Sequence, residues 1–496
     1  MARALFNAVY VQWGPMDLFP DEAHYWEWSR NLDWSYYSKG PMVAYIIALF
    51  TRSLGHTTLT VRSGAIVLSV LTGLTLYAAA RRITGSHRHA FWACLALSIT
   101  PLGSAGSFIM TIDAPFIFFW VLGLYTAWRA VEEDAPRWWS LSGFVVGLGM
   151  LSKYTMVFFW PSLFLYLALS PKKRALLKNR WLYGALLLSA VVFIPVLLWN
   201  AEHDWMSFRH LWSQTRGRTL WGGLTLRYFI EFLGSQMLVI SPLIFAGMMY
   251  AMVRATRRPI DEGNLFCLCF ALVTLGCYFL KSFQGKTQAN WAASAYPSAI
   301  ILTVRVFGEK LRHAGPGSVF GRRVRRWIIA AAALCLMLSI TGYSLFYLRA
   351  VGIPIPPSRD PANRAYGWAE LGEQVGKIYH EMGGHERVFL LSDRYQEASE
   401  LAFYVPGHPR VFNVNLGRRL NQYDLWQPVS TQQGKDALVL RRGNRSLKSK
   451  LKDLFRTCRP KATISIKRYG QTLKQFRLFH CEDYSGRMYA PVEVSY

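Results

Sequence analysis

Ten apolar runs, each bounded by a short charged stretch, constrain this chain more than any other feature, because a bilayer-crossing helix needs about 20 predominantly apolar residues. They lie near 62–80, 90–108, 114–131, 139–152, 154–170, 181–199, 226–253, 264–280, 291–306 and 327–348. Such a pattern predicts about ten or eleven membrane spans. Met42 to Leu54 is apolar but short, which suits a helix lying along the membrane surface. Ala4 to Trp13 is also short, so the first span is expected to be truncated or a partial helix. No cleavable signal is expected, because Met1 to Asn7 lacks an apolar core and no small-residue cleavage site follows.

Composition agrees with a polytopic membrane protein. Over 496 residues the chain is 52% apolar and 15% aromatic, more than a soluble core of this size needs. Mean hydropathy is only +0.15, so the apolar runs must be averaged with one sizeable polar block. The net charge of +27 sits in short loops between the runs rather than along one soluble face, which argues against a nucleic-acid partner.

Parity then orients the chain. If Arg81, Arg82 and Arg88 face the cytoplasm, alternation places Arg129 and Arg137, Lys172 to Arg180, Arg254 to Arg258 and Arg305 to Arg326 on the same side, as the positive-inside rule expects. The opposite face receives Phe19 to Arg62, the Thr111 to Pro115 turn, Asn200 to Arg227, Lys281 to Asn290 and everything after about Val351. Most of the unusual polar residues gather there, so chemistry is expected on the outer face.

The composition changes after Gly352. Pro354, Pro356 and Pro357 read as a stiff linker, which divides the chain into a transmembrane domain at 1–351, with its first outer loop at 19–62, and an extracytoplasmic domain at 352–496. That block holds 23 Lys and Arg against 14 Asp and Glu. Short strands are expected at Arg387 to Leu391, Arg410 to Val414 and Ala437 to Leu440, helices at Glu397 to Tyr404 and Ser446 to Phe455, and a closing strand pair at Ala462 to Lys467 and Gln475 to His480. The fold class is therefore a polytopic α-helical membrane protein with a small C-terminal α/β domain. Five of the seven cysteines fall in apolar runs and read as core residues; Cys458 and Cys481 can pair if the domain faces an oxidising compartment.

Several residues on the outer face are candidates for chemistry. Asp21 and Glu22 follow Pro20 and precede the aromatic run Tyr25, Trp26, Trp28; carboxylates at a membrane face are costly to bury and at least one should turn to a polar cavity, although Asp21 also suits a helix N-cap. Asp113 follows a long apolar stretch, and parity puts it on the same face as Asp21, so the two can share a pocket as base or metal ligands. Lys39, in Ser38-Lys39-Gly40-Pro41, and Lys153, in Leu151-Ser152-Lys153-Tyr154, either snorkel toward headgroups or hold a lipid phosphate, for which a compact ammonium is suited. Glu202 and His203 lie in an Asn-Ala-Glu-His-Asp cluster that can ligate a divalent cation or play a structural part. Arg209, Arg216 and Arg218 follow as partners for an acidic group.

Taken in order, Pro20-Asp21-Glu22-Ala23-His24-Tyr25-Trp26, Asp113-Ala114-Pro115, Leu151-Ser152-Lys153-Tyr154, Trp199-Asn200-Ala201-Glu202-His203-Asp204-Trp205, Gln288-Ala289-Asn290-Trp291, Asp393-Arg394-Tyr395-Gln396 and Asn421-Gln422-Tyr423-Asp424-Leu425-Trp426 resemble the bacterial family 39 glycosyltransferases of the protein mannosyltransferase superfamily, which share the GT-C fold. Within that group the chain is similar to the lipid A aminoarabinose and uronic-acid transferases. The resemblance implies a bacterial inner-membrane enzyme whose active site and C-terminal domain are periplasmic. It would pass a sugar from a polyprenyl-phosphate donor, with inversion, to a glycolipid or other glycan acceptor. It also implies that Asp21 is the catalytic acidic residue, Asp113 a second outer-face carboxylate and Lys39 a donor-phosphate ligand. His24 stands where the aminoarabinose transferases have Arg, and Gly40-Pro41 replaces a common Pro-Pro. The rival reading is a polytopic lipid or sugar transporter; against it, no inverted repeat is visible and the polar residues collect at one face.

Overall fold

The computed structural model describes residues 1–215, 225–257, 261–314, 318–350, 353, 356, 360–426 and 428–489. Arg216 and Arg218, and Pro354 and Pro357 of the linker, lie outside the described residues. The chain folds into two compact units, each assembled from separated segments: one comprises Met1–Ala8, Lys39–Val43 and Ser63–Tyr343, the other Val9–Ser38, Ala44–Arg62 and Ser344–Tyr496.

The first unit is helical. Among the described residues five helices are long and apolar enough to cross a membrane: Thr58–Thr84, Asp113–Glu133, Arg180–Glu202, Glu262–Ser282 and Val319–Tyr343. A sixth is obtained if Leu226–Ile240 and Pro242–Ala255 count as one span, but the pair is bent by 105°. The sequence pattern predicted one run at 226–253; Ser241 breaks it with φ 86, and Pro242, which lacks a donor, begins the second helix. Two other predicted runs are also divided. The 90–108 run becomes His87–Ile99 and Pro101–Ala105, with the Thr100 hydroxyl capping Gly103 N–H. The 154–170 run becomes a 3-10 turn, Tyr154–Phe158, leading into Phe159–Leu169. Hydropathy registers apolar length but not the capping and proline geometry that breaks a helix within these three runs. Met42–Leu54 is a helix with the bounds expected.

Close backbone approach organises the bundle. Pro136–Ser152 packs against both Asp113–Glu133 and Arg180–Glu202, and its Gly143 and Gly147, four residues apart, face Ala185, Ser189 and Val192 of the latter. A methyl group at either glycine would collide with those atoms. This is the small-residue spacing through which helices pack in lipid, where no water drives them together. Interlocked rings fill the core: Trp120 meets Phe159 at 5.5 Å, Phe159 meets Phe270 at 4.8 Å and Trp128 meets Phe266 at 5.0 Å between centroids.

The second unit carries a five-stranded mixed sheet in the order β2-β1-β3-β5-β4. Its strands are β1 (Val388–Ser392), β2 (Val411–Asn413), β3 (Asp436–Arg442), β4 (Phe455–Arg468) and β5 (Gln471–Tyr484). The first three run parallel; β3 with β5 and β5 with β4 are antiparallel. All five strand segments coincide with the sequence expectation, the last pair being longer, whereas the helix expected at Ser446 to Phe455 shrinks to Ser449–Lys452 because β4 claims Phe455. Cys458 stands opposite Cys481 in the β4–β5 register and the two form a disulfide. Helix Tyr395–Tyr404 packs on Pro20–Arg30 and on Trp368–Glu381. Residues 19–62, apart from Lys39–Val43, are thus built into the same unit as the C-terminal sheet, a join that a linear reading with a boundary at 351/352 does not contain.

Candidate active site

Each unit carries one cluster of the expected residues. In the helical unit Asp113 opens Asp113–Glu133, where the helix dipole favours a carboxylate. Lys153 follows Pro136–Ser152 in extended backbone. Lys153 Nζ donates to Asp113 Oδ1 at 2.7 Å, and Asn290 Nδ2 donates to Oδ2 at 2.6 Å. The side chains of Lys153 and Asp113 are only 9% and 18% exposed, and the ammonium lies 5.2 Å from the centre of the Phe116 ring. An ammonium among apolar helices is costly unless paired; here the carboxylate balances it and the Asn290 amide holds the carboxylate's second oxygen. Asn290 sits in the 3-10 turn Ala289–Ala292, fixed by Gln236 Nε2 donating to the Ala289 carbonyl at 3.1 Å.

Lys39, half-buried, belongs to the same unit. The backbone of its neighbour Gly40 presses on the Leu151 carbonyl so closely that a side chain there would collide. The segments bearing Lys39 and Lys153 are therefore in backbone contact, which explains a glycine between Lys39 and Pro41.

The expected cation ligands do not assemble. Glu202 is exposed, while His203 stacks on Trp199 at 4.0 Å and its Nδ1 donates to the Trp199 carbonyl at 2.8 Å. Among the described residues no three His, Cys, Asp or Glu side chains gather as a metal set. The residues present do not fit a divalent cation at this position.

In the sheet-bearing unit, helix Pro20–Arg30 separates the two neighbouring carboxylates. Phe19, not Asp21, is the N-cap. Asp21 is 47% exposed and accepts from the Tyr395 hydroxyl at 3.3 Å, with Arg364 Nη2 at 4.0 Å. Burial and the Asp21 carboxylate push the Tyr395 phenol up. Glu22 is fully enclosed with Arg62, both side chains 0% exposed, and its Oε2 accepts from Arg62 Nη2 at 2.7 Å and from the Phe19 N–H at 2.9 Å. That pair fastens the start of the helix to Arg62, so Asp21 is the carboxylate of the two that is open to a reactant.

His24 is also committed. Its Nε2 accepts from Trp28 Nε1 at 3.2 Å, leaving Nδ1 to donate to Ser399 Oγ at 3.1 Å, and the ring stacks on Tyr423 at 5.4 Å. Burial lowers it to about 3, so it is neutral and cannot replace an arginine as a phosphate ligand. One turn on, Glu27 accepts from Arg30 Nη1 at 3.2 Å, and burial pushes its carboxyl up to about 7 against the opposing pull of Arg30, Tyr423 and Arg410.

Sequence reasoning singled out Asp113, Lys153, Asp21 and Glu22 but missed Asn290, Tyr395, Arg364 and Arg62 as partners. Asn290 and Tyr395 lay within motifs already noted; Arg62 and Arg364 carried no local signal.

Comparison with known proteins agrees with this picture. Residues 38–199, which include Lys39, Asp113 and Lys153, match the family described as dolichyl-phosphate-mannose-protein mannosyltransferase. The chain is 29% identical over 301 residues to the lipid A galacturonosyltransferase RgtD of Rhizobium johnstonii, covering 60% of this chain and 63% of that protein. It is 27% identical over 193 residues to the undecaprenyl phosphate-alpha-4-amino-4-deoxy-L-arabinose arabinosyl transferase of Pseudomonas aeruginosa, covering 35% and 34%. The match thus spans just under two thirds of the length of the first relative and about a third of the second. Crystal structures of ArnT from Cupriavidus metallidurans, in the apo state and bound to undecaprenyl phosphate, superpose with a TM-score of 0.65 at 15% identity over 97% of this chain and 96% of that one. The family match covers the segment that carries Lys39, Asp113 and Lys153, and nearly the whole chain shares the fold of the ArnT structures.

Proposed function

We propose that this protein is an inverting membrane glycosyltransferase that takes a sugar from a polyprenyl-phosphate donor and passes it to a lipid A-type or other glycan acceptor. The observation that carries the reading is the Lys153 ammonium, nearly buried in an apolar bundle and held by Asp113. Such a cation costs stability in lipid and is retained where an anion must be met. Relatives named for transfer to lipid A or from an undecaprenyl-phosphate sugar support the substrate class.

In this reading the acceptor oxygen attacks the sugar C1 while the bond from C1 to the phosphate oxygen breaks, and the polyprenyl phosphate leaves with the electron pair. Lys153 and Lys39 stabilise the charge that grows on the departing phosphate, and Asp113 positions Lys153. Asp21 takes the proton of a hydroxyl acceptor; with an anionic acceptor it orients that group and no base is needed. No step runs through a metal ion. The reaction takes place at the periplasmic face of a bacterial inner membrane, where the Cys458–Cys481 disulfide persists.

The test uses purified full-length protein in detergent with labelled undecaprenyl phosphate carrying galacturonic acid or 4-amino-4-deoxyarabinose. Wild type should release free lipid phosphate in the presence of lipid A, and Lys153→Ala should slow release by about a hundredfold or more. Undiminished release by Lys153→Ala, or none from wild type with either donor, would overturn the proposal.

A further inference from the structure

A cavity of about 150 Å³ opens in the sheet-bearing unit beside helix Pro20–Arg30, with neither Asp21 nor Tyr395 among its walls. Glu27, Arg30, Asn31, Arg410, Tyr423 and Trp426 are among its walls. We infer that this cavity binds a single sugar residue bearing a phosphate or carboxylate.

Its size is the first argument. Its volume suits a group the size of a sugar or small anion rather than a polyprenyl or acyl chain. The second argument is charge. Two guanidinium groups, Arg30 and Arg410, meet one carboxyl, Glu27, whose raised affinity for a proton weakens its cancellation of them. Arginine is the side chain whose planar donors match carboxylate and phosphate oxygens in pairs. The third is the ring wall. Trp426 is half-buried and meets Tyr423 edge to face, with centroids 5.1 Å apart. An aromatic ring with an amide and charged donors nearby combines apolar contact with orientation, as sugar binding requires.

The surroundings fit a larger saccharide. Arg410 and Phe412 also line a second cavity of about 530 Å³, whose walls include His380, His385 and Lys435. The small polar site thus adjoins a wider basic trough, in which the remainder of an anionic glycan can lie. This inference goes beyond the transferase proposal, because a recognition site of this kind would exist even if the chain moved no sugar.

The experiment is calorimetric titration of the full-length protein in detergent micelles, with no donor present. The probes are glucosamine 1-phosphate, galacturonic acid, glucose and inorganic phosphate. A charged sugar should bind at least tenfold more tightly than glucose or phosphate; which of the two does so identifies the source of the charge. Arg410→Ala, at an exposed position, should weaken that binding at least tenfold, Arg410→Lys should restore part of it, and Lys377→Ala, at an exposed position that lines neither cavity, should leave it unchanged. The inference fails if neither charged sugar binds, if inorganic phosphate binds as tightly as the sugar phosphate, or if Arg410→Ala binds like wild type.

Discussion

Glu27 is the residue at which the structure makes the plainest demand on pH. Its carboxyl is buried beside Arg30 of its own helix and faces Arg410 and Tyr423 from the C-terminal segment, and burial outweighs both cations to raise it from 4.5 to about 7. A carboxyl that is harder to ionise in the folded than in the unfolded chain contributes stability fully below the unfolded value, and that contribution is lost as pH rises toward 7. The difference amounts to ~3 kcal/mol. The thermal midpoint of the purified protein should therefore fall between pH 5 and pH 8, and Glu27→Gln should flatten the decline; identical slopes would refute the assignment. At this scale the sequence exposed Lys153 and Asp113, because a charge within or beside an apolar run has few inexpensive explanations. It did not expose Arg62 or Asn290, which meet Glu22 and Asp113 across 40 and 177 residues and follow no local period.

Among elements, Pro136–Ser152 depends most on a side chain's absence. Gly143 and Gly147 bring it onto Arg180–Glu202, and its far end delivers Lys153 to Asp113. Gly147→Leu must push the helices apart, which costs about 1–3 kcal/mol as overpacking and displaces the lysine that follows. Detergent-solubilised variant should melt at lower temperature than wild type and lose most of its lipid-phosphate release; a variant that retains both would show that the contact is dispensable. Strands in the C-terminal unit were legible because β-branched and aromatic residues bounded by turn formers have few other uses. Helix ends in the membrane unit were less so: the interruptions at Thr100–Pro101 and Ser241–Pro242 depend on capping and backbone angles that an apolar average conceals.

For the whole molecule, the two compact units do not follow the chain's order. Val9–Ser38 and Ala44–Arg62 join the sheet of the C-terminal segment, while Lys39–Val43, between them, belongs to the helices. The polypeptide therefore passes from one unit to the other several times before residue 63, a pattern that no shift in composition announces; the fold class could be read from the sequence, but this interleaving could not. The β4–β5 hairpin turns at Tyr469 and Gly470, both at positive φ, with the Tyr469 ring 51% exposed, and the Cys458–Cys481 bridge ties the same two strands farther along. Brief chymotrypsin treatment that severs the peptide after Tyr469 alone should thus liberate nothing: the clipped protein should run as one band on a non-reducing gel and divide into two only once a thiol is added. A tail fragment appearing without the thiol would mean that the sulfurs are not joined.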